Sequence, residues 1–395
     1  MGRTRDVVIV DGARTPMAEY NGHFKDTTAI DLAVVTAKEA MRRAGVEAGD
    51  VDHAVYGNAL QTSGDAIYGA RHVALKAGLP VETPALTVNR LCGSGIAAIV
   101  QAARLVMQGE ARTVLAGGME NLSQAPHVIR GARSGFRLGG GQLEDALMVA
   151  LMDSYCGLYM ANTAEKLAEK YGISREEMDA YALRSQEAAK AAYDAGRIQP
   201  EIAPVEVGAG KNKTKVEADD HMRPETTIEG LAKLRPAFGK DGCVTAGNAS
   251  GIVDGAASVV VMSAGEAETR GKKPIGALLG WATVGVEPSL MGIGPVPASR
   301  KVVADAGLKL TDVDLIEVNE AFSPQYLAVE KALELDRTKV NVNGGAIALG
   351  HPLAATGTRL VLTLLYELRR RKARYGLATA CIGGGQGIAA LVEAL

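Results

Sequence analysis

The chain has 395 residues, of which 43 are basic and 45 acidic, and it carries a net charge of −2 at neutral pH. It is long enough for two domains or one duplicated unit. Glycine is abundant, with 47 residues, whereas aromatic residues make up only 4% and hydrophobic residues 47% of the chain. This composition favours an α/β protein with an aliphatic core and many tight turns. The balanced charge argues against a nucleic-acid partner, and no apolar run predicts a membrane partner.

The first part of the sequence alternates predicted strands and helices. In chain order these are a strand at 7–10, a helix at 27–44, a strand in the segment DVDHAVYG, a strand ending at Asn89, a helix at 95–108 and a strand at 113–116. Gly45 is a typical stop for the first helix. The alternation predicts a largely parallel sheet covered by helices.

The middle of the chain, about 121–270, breaks this alternation. Its apolar spacing predicts one long helix over 162–195, and Ser174 and Glu177 have the spacing of a capping box. We interpret this part as an inserted loop domain followed by the end of the first unit. Long insertions at strand ends usually serve a ligand site.

The last part of the chain repeats the first at a constant spacing of 262 residues, as from Gly45 to Gly307. The same spacing relates Asp50, Val51, Asp52, Ala59, Ala111-Arg112 and Leu115-Ala116 to Asp312, Val313, Asp314, Ala321, Ala373-Arg374 and Leu377-Ala378. The predicted elements of this second unit are a helix at 295–306, strands at 313–318 and 340–343, a helix at 354–371 and a strand at 376–381.

The repeat predicts a duplicated α/β fold with two mixed, mostly parallel sheets that sandwich helices. The predicted domains are an N-terminal half at 1–120 plus about 240–270, a loop domain at about 121–239, and a C-terminal half at 271–395. Two such copies pack best around a pseudo-two-fold axis.

The chain has four cysteines, at 92, 156, 243 and 381. They are too few for a disulfide scaffold and include no CxxC pair, so we expect free thiols and no metal site. The first residues run directly into a predicted strand, which leaves no room for a signal or transit peptide. Together these features predict a cytoplasmic protein.

Three reactive side chains follow predicted strands, where α/β proteins gather their catalytic groups. These are Cys92, His351 and Cys381. The duplication places the turns of Cys92 and His351 at equivalent positions across the pseudo-axis, so we expect them to meet at the centre of the molecule.

The segment NRLCGSG places Cys92 at the predicted start of a helix. A helix N-terminus lowers the pKa of a thiol, and a nearby imidazole activates a nucleophilic cysteine. We expect His351 to supply that imidazole. The glycine run that includes Gly383 could expose N–H groups to an oxyanion, and Asn319 could hold a water or position His351.

The segment GSGIAA at 93–98 fits the dinucleotide-binding pattern G-x-G-x-x-A between a strand and a helix. However, Glu110 precedes its strand, whereas the pattern requires an acidic residue at the end of the strand. Several strand candidates also come before this motif, although the pattern usually opens its domain. We therefore do not expect NAD binding.

The residues resemble the thiolases, and most closely the acetyl-CoA acetyltransferases, over almost the whole chain. The motifs that carry the resemblance are VDGARTP at 10–16, NRLCGSG at 89–95, AGGMENLS at 116–123, MANTAE at 160–165, KLRPAF at 233–238, TAGNASGIVDGA at 245–256, GWATVG at 280–285, GPVPA at 294–298, EVNEAF at 317–322, NVNGGAIALGHP at 341–352 and CIGGGQG at 381–387. This ordered set is specific, whereas any single glycine pattern is not.

The resemblance implies a role for each candidate residue. Cys92 is similar to the nucleophile that accepts the acyl group, and His351 to the group that activates it and lines an oxyanion site. Cys381 is similar to the acid/base that moves the α-proton of the second acetyl group. Asn319 would hold a water in the first oxyanion site, and the N–H groups of Cys92 and Gly383 would form the second.

The resemblance also implies the reaction: a reversible Claisen condensation of two acetyl-CoA to acetoacetyl-CoA, or thiolysis of a 3-ketoacyl-CoA, with ping-pong kinetics. It implies coenzyme A thioesters as substrates, no tightly bound cofactor, a place in fatty acid metabolism, and a homotetramer built as a dimer of dimers. The implied coenzyme A contacts are Leu151, Met160, Arg223, Phe238, Ala246, Ala249, Ser250, Met291, Ala321 and Phe322.

Four positions depart from the family pattern: Tyr159, Gly230, Ala354 and Thr356 stand where histidine, serine, glycine and serine are more usual. They leave the acyl chain length and the physiological direction open. A ketoacyl synthase is the nearest alternative, but it would not carry Cys381 within CIGGGQG. A non-catalytic thiolase-like protein commonly lacks a catalytic residue, and here all four catalytic side chains are present.

Overall fold

The computed structural model describes residues 5–208, 210, 213–239 and 241–395. The strands are β1 (Val7–Arg14), β2 (Ala18–Glu19), β3 (His53–Gly57), β4 (Ala85–Val88), β5 (Thr113–Glu120), β6 (His127–Ile129), β7 (Leu143–Asp145), β8 (Met152–Asp153), β9 (Leu158–Tyr159), β10 (Val205–Val207), β11 (Thr214–Val216), β12 (Val253–Ser263), β13 (Gly276–Gly285), β14 (Leu315–Val318), β15 (Tyr375–Ile382) and β16 (Gln386–Ala394). The helices are α1 (Ala29–Ala44), α2 (Gly69–Ala77), α3 (Ser94–Met107), α4 (Ala146–Ala150), α5 (Met160–Tyr171), α6 (Arg175–Asp194), α7 (Ile228–Ala232), α8 (Ala264–Thr269), α9 (Pro295–Asp305), α10 (Ser323–Leu333), α11 (Ala346–Leu349) and α12 (Leu353–Arg371).

The central sheet confirms the predicted mixed α/β class. Its strand order within the described chain is β14-β15-β16-β13-β1-β12-β5-β3-β4, with β2 paired to β12. The two halves are joined because β1 pairs with β13 through Val8–Ala277 and Ile9–Gly276. The two predicted sheets are therefore hydrogen-bonded to each other at this short pairing, and α3 and α12 contact strands of both, as the predicted sandwich requires.

The pairing is less parallel than the sequence suggested. Only β3–β4, β3–β5 and β14–β15 are parallel among the described pairs of this sheet. The physical reason is connectivity. A tight turn joins β15 directly to β16 and forces an antiparallel hairpin, and β12 returns to the sheet from the long insertion rather than from a helical crossover.

The internal repeat is visible in the structure. β3 and β14 begin at residues 53 and 315, and β5 and β15 begin at 113 and 375, so the spacing of 262 is kept. In the first half the Asp52 carboxylate accepts hydrogen bonds from the amides of residues 112 and 113 (2.7 and 3.0 Å). In the second half Asp314 accepts from residues 374 and 375 (2.9 and 2.8 Å). The repeated aspartates thus start the same strand in each half.

Helices α3 and α12, one from each half, pack against each other and contact strands of both halves. They cross at two glycines. A Cβ on Gly95 would overlap the backbone nitrogen of Thr358, and a Cβ on Gly357 would overlap the backbone nitrogen of Ile96. Only glycine permits this close approach, which brings the N-terminal ends of the two helices together. The described chain contains no helix with the length and apolarity needed to cross a bilayer.

Two predicted elements were wrong in detail. The single helix at 162–195 is two helices, α5 and α6, because Gly172 ends the first in the left-handed region (φ 58°). The predicted capping box is confirmed, since Ser174 and Glu177 exchange both hydrogen bonds at the start of α6. The predicted strand at 340–343 makes only isolated bridges, in which Val340 pairs with Ile316.

Candidate active site

Cys92 lies on a single 3-10 turn, Leu91–Gly93, between β4 and α3. Leu91 has a left-handed backbone (φ 47°), which is costly for a leucine. The turn is held by side chains, because Asn89 Oδ1 accepts from the Leu91 amide (2.9 Å) and Ser94 Oγ donates to the Leu91 carbonyl (2.7 Å). These hydrogen bonds therefore fix the backbone of the turn that carries Cys92, the candidate nucleophile.

The Cys92 sulfur is approached by two backbone N–H groups, its own and that of Gly383. These favour a thiolate, but burial of the thiol has the larger effect and raises the pKa of Cys92 to about 12. The negative charge of Glu120 acts in the same direction. The expectation of a lowered thiol pKa at the helix N-terminus was therefore wrong, since desolvation outweighs the amides.

His351 is buried between Gly350 and the first turn of α12, with 6% of its surface exposed. Its backbone N–H donates to the Gly251 carbonyl (2.9 Å). Burial, assisted by the charge of Arg359, lowers the pKa of the imidazole to about 3. The resting imidazole is therefore neutral at physiological pH.

The hydrogen bonds of His351 assign its tautomer. The Thr356 hydroxyl donates to the Pro352 carbonyl (3.2 Å), so it accepts from His351 Nδ1–H at 2.7 Å. Nε2 then keeps its lone pair and lies 3.3 Å from Asn319 Nδ2. A base with this orientation can take a proton from a thiol on the Nε2 side.

Asn319 follows β14 directly and is fully buried. Its Oδ1 has no hydrogen-bond partner among the described residues. A buried acceptor without a protein partner suits an ordered water, which is the role that the sequence resemblance implied for this residue.

Cys381 lies near the end of β15 and is completely buried. Burial raises the pKa of its thiol above the ordinary value, and the proximity of Cys92 raises the pKa further. The structure thus brings the two cysteines within electrostatic reach of each other. Because both thiols are protonated and the imidazole is neutral, the resting site carries no charge on its three reactive groups.

Most of the candidate coenzyme A contacts lie in one of two apolar clusters. Four of them, Met160, Met291, Ala321 and Phe322, form an apolar cluster with Cys381. Ala249 and Ser250 join this cluster through backbone contacts with 321–322, and Leu151 packs in a separate cluster beside Cys92. Ala246 is exposed at the start of a turn.

Two further contact candidates are exposed at the surface. The Phe238 ring is 6.5 Å from the ring of Tyr159. The Arg223 guanidinium instead donates hydrogen bonds to the Glu19 carboxylate (3.1 Å) and to the Asp220 carbonyl (3.0 Å). The structure therefore joins seven of the ten predicted contacts around the two cysteines, but not Ala246, Phe238 or Arg223.

Glu120 is a site residue that the sequence reasoning missed. Its buried carboxylate accepts hydrogen bonds from the amides of Ala59 (3.1 Å), Leu60 (2.9 Å) and Ala354 (3.0 Å), and burial raises its pKa to about 7. It connects the segment beside Cys92 with the helix that follows His351. A signal was available, because Glu120 is an acidic residue at the end of β5, but the predicted strand stopped at Ala116.

We expect Thr356→Val to slow acylation of Cys92 about 10- to 100-fold, because the buried Nδ1–H of His351 loses its acceptor. Thr356→Ser keeps the hydroxyl and should restore most of the rate. Rapid-quench measurement of acyl-enzyme formation tests both variants. Equal acylation by the valine variant and the wild type would show that Thr356 does not orient the imidazole.

The described residues contain no group of three side chains suited to a metal ion. The fold and the site define a class of protein: a duplicated α/β protein with two neighbouring thiols, and with an imidazole just before the helix that packs against the helix following the first thiol. Thioester exchange and proton transfer at carbon need such groups.

Comparisons with known proteins give the family. The model "Thiolase, N-terminal domain" matches residues 7–265 and "Thiolase, C-terminal domain" matches residues 272–394. The chain therefore belongs to the thiolase family. It is 52% identical to the human mitochondrial 3-ketoacyl-CoA thiolase over 394 residues, covering 100% of this chain and 99% of that protein.

Two further comparisons support the same family. The chain is 48% identical to the acetyl-CoA acetyltransferase of Chromobacterium violaceum over 390 residues, covering 98% of this chain and 99% of the relative. A crystal structure of the human mitochondrial thiolase in complex with CoA superposes with a TM-score of 0.96 at 52% identity, covering 98% of each chain.

Proposed function

We propose that the protein is an acyl-CoA C-acyltransferase that condenses two acetyl-CoA molecules to acetoacetyl-CoA and coenzyme A, and in reverse cleaves 3-ketoacyl-CoA substrates. The observation that carries the proposal is the meeting of Cys92 and Cys381, with the amides of Cys92 and Gly383 facing the Cys92 sulfur. Relatives named for each direction, acetyl-CoA acetyltransferase and 3-ketoacyl-CoA thiolase, support it. Coenzyme A thioesters are the substrates, without a tightly bound cofactor.

In the first half-reaction, Nε2 of His351 takes the proton of Cys92, and the thiolate attacks the thioester carbonyl. The oxyanion is stabilised by the imidazolium and by a water on Asn319. The tetrahedral intermediate expels the coenzyme A thiolate, which takes the proton of Cys381. The products are an acyl group on Cys92, a thiolate on Cys381 and an imidazolium on His351.

In the second half-reaction, the Cys381 thiolate removes the α-proton of a second acetyl-CoA. The carbanion attacks the acyl carbonyl on Cys92, and the amides of Cys92 and Gly383 bind the new oxyanion. Collapse releases acetoacetyl-CoA and a Cys92 thiolate, which regains its proton from His351. All protons are then where they began, so the cycle balances.

The purified protein should consume acetoacetyl-CoA only when coenzyme A is added. The loss of the absorbance of the acetoacetyl-CoA enolate follows the reaction, and formation of acetyl-CoA should account for the loss. A mixture without coenzyme A is the control. Absence of any coenzyme A-dependent loss, in folded protein, would refute the proposed activity.

We also propose a homotetramer built as a dimer of dimers. β4 ends the central sheet, and exposed apolar side chains lie near it, including Ile67 (71% exposed) and Val81 (68%). A second exposed apolar surface lies on the segment around the β6–β7 pair, where Leu138 is 97% and Leu143 69% exposed. Two such surfaces suit two kinds of subunit contact. Sedimentation velocity measures the assembly directly.

A cytoplasmic location and a role in fatty acid metabolism complete the proposal. The four cysteines are free thiols, which suits a reducing compartment. The chemistry requires the same condition, because oxidation of Cys92 or Cys381 would remove the nucleophile or the base. Cell fractionation tests the location.

A further inference from the structure

The side chain of Cys92 lies against a compact apolar cluster. The buried members are Leu60, Leu122, Leu147 and Leu353, and the partly buried members beside Cys92 are Ala59, Ala125, Ala150 and Leu151. An acyl group bonded to the Cys92 sulfur would therefore begin among aliphatic side chains. The four leucines of the cluster are shielded from solvent, since they are only 2–8% exposed.

A cavity of about 580 Å³ shares a wall with this cluster and lies beside β4, at the surface that we propose as a subunit contact. Its lining includes Ala59 and Leu60, which belong to the cluster, and Ala146, which directly precedes the cluster residue Leu147. Ligand cavities typically have volumes of roughly 300–1,000 Å³, so the space is of substrate size. A larger cavity of about 780 Å³ lies at the far end of α3 from Cys92, so it does not adjoin the reacting sulfur.

The shared wall is fixed in place by hydrogen bonds. It consists of the short segment after β3, whose amides at Ala59 and Leu60 both donate to the Glu120 carboxylate (3.1 and 2.9 Å). Asn89, which also lines the cavity, donates from Nδ2 to the Ala59 carbonyl (3.0 Å). Because the backbone is held from both sides, the Leu60 side chain is the part of the wall that a substitution can remove.

We propose that Leu60 limits the length of the acyl group that Cys92 accepts, by separating the apolar cluster from the cavity behind it. The inference rests on the proposed acyl transfer and names the residue that selects among its 3-ketoacyl-CoA substrates. Leu60 belongs to both the cluster and the cavity lining, so loss of its isopropyl group connects the two spaces. The wild-type site then favours short acyl groups, and the variant gains space for additional methylenes.

The test measures kcat/KM for thiolysis over a series of straight-chain 3-ketoacyl-CoA substrates, from acetoacetyl-CoA to 3-ketodecanoyl-CoA. In Leu60→Ala, the ratio of the long-chain to the short-chain value should rise about tenfold or more, because a few methylenes in an apolar pocket discriminate at that level. Leu79→Ala is the matched control, since Leu79 is similarly buried but lies in a different cluster. It should leave the ratio unchanged.

The outcomes separate this inference from the proposed function. An unchanged ratio in a folded, active Leu60→Ala enzyme overturns the role of Leu60 while leaving acyl transfer intact. Wild-type protein without thiolysis of any substrate in the series overturns the proposed function itself. If Leu60→Ala does not fold, Leu60→Val and Leu60→Met provide the test: the ratio should rise with the smaller side chain and fall or stay constant with the longer one, and the opposite order refutes the inference.

Discussion

We expect Cys92→Ala to lose turnover by about 10⁴-fold or more, because a nucleophile that forms a covalent intermediate has no substitute in the site. Incubation of the wild type with acetyl-CoA should add the mass of one acetyl group to the peptide that contains Cys92. The variant should show no such adduct. Intact-protein and peptide mass spectrometry measure both results.

Cys243→Ala is the control for this experiment, because Cys243 is also a partly buried free thiol but packs in another cluster. It should acylate Cys92 and turn over at the wild-type rate. Turnover by the Cys92 variant at that rate, or an acetyl group found on another cysteine of the wild type, would contradict the assignment of the nucleophile.

The second large effect is expected for Cys381→Ala. This variant should still form the acyl-enzyme on Cys92, because the coenzyme A thiolate that Cys381 would protonate can leave as an anion and take its proton from solvent. The reaction should then stop. Condensation should fall by about 10²–10⁴-fold, the usual contribution of a positioned acid/base. The reason is that Cys381 exchanges the α-proton of the second substrate, whereas the attack of Cys92 on the first thioester depends on His351.

The measurement combines rapid-quench acylation with exchange of the acetyl-CoA methyl protons for deuterium. The wild type should catalyse the exchange and the variant should not. A Cys381→Ala enzyme that condenses and exchanges normally would require a different base. The alanine methyl group at position 381 fits the apolar cluster with Met291 and Ala321. We therefore expect the Cys381→Ala protein to fold, so that its activity can be compared with that of the wild type.

The architecture was largely predictable because helical and strand periodicity and the 262-residue repeat are properties of the sequence itself. The break between α5 and α6 was missed because apolar spacing continues across Gly172, although that glycine and the capping box at Ser174 both mark it. The antiparallel pairings were missed because they depend on where the long insertion returns its strand. Local periodicity does not contain that information.

The site was predictable in its residue types but not in its electrostatics. Neighbouring glycines and positions after predicted strands identified Cys92, His351 and Cys381 as candidate catalytic residues. A motif does not show how deeply a group is buried, so the raised pKa of Cys92 and the strongly lowered pKa of His351 required the structure. The link from Glu120 to Ala354 joins residues that are far apart in sequence, and no local pattern predicts it.

The crossing of α3 and α12 has a consequence for how one chain can hold two different catalytic loops. Two identical, separate copies of one half, packed in this way, would carry the same residue at the start of both helices. Covalent fusion removes that restriction, since each half can then change alone. A thiol can occupy one helix start and an imidazole the other, and a symmetric scaffold thereby holds a single asymmetric reaction centre.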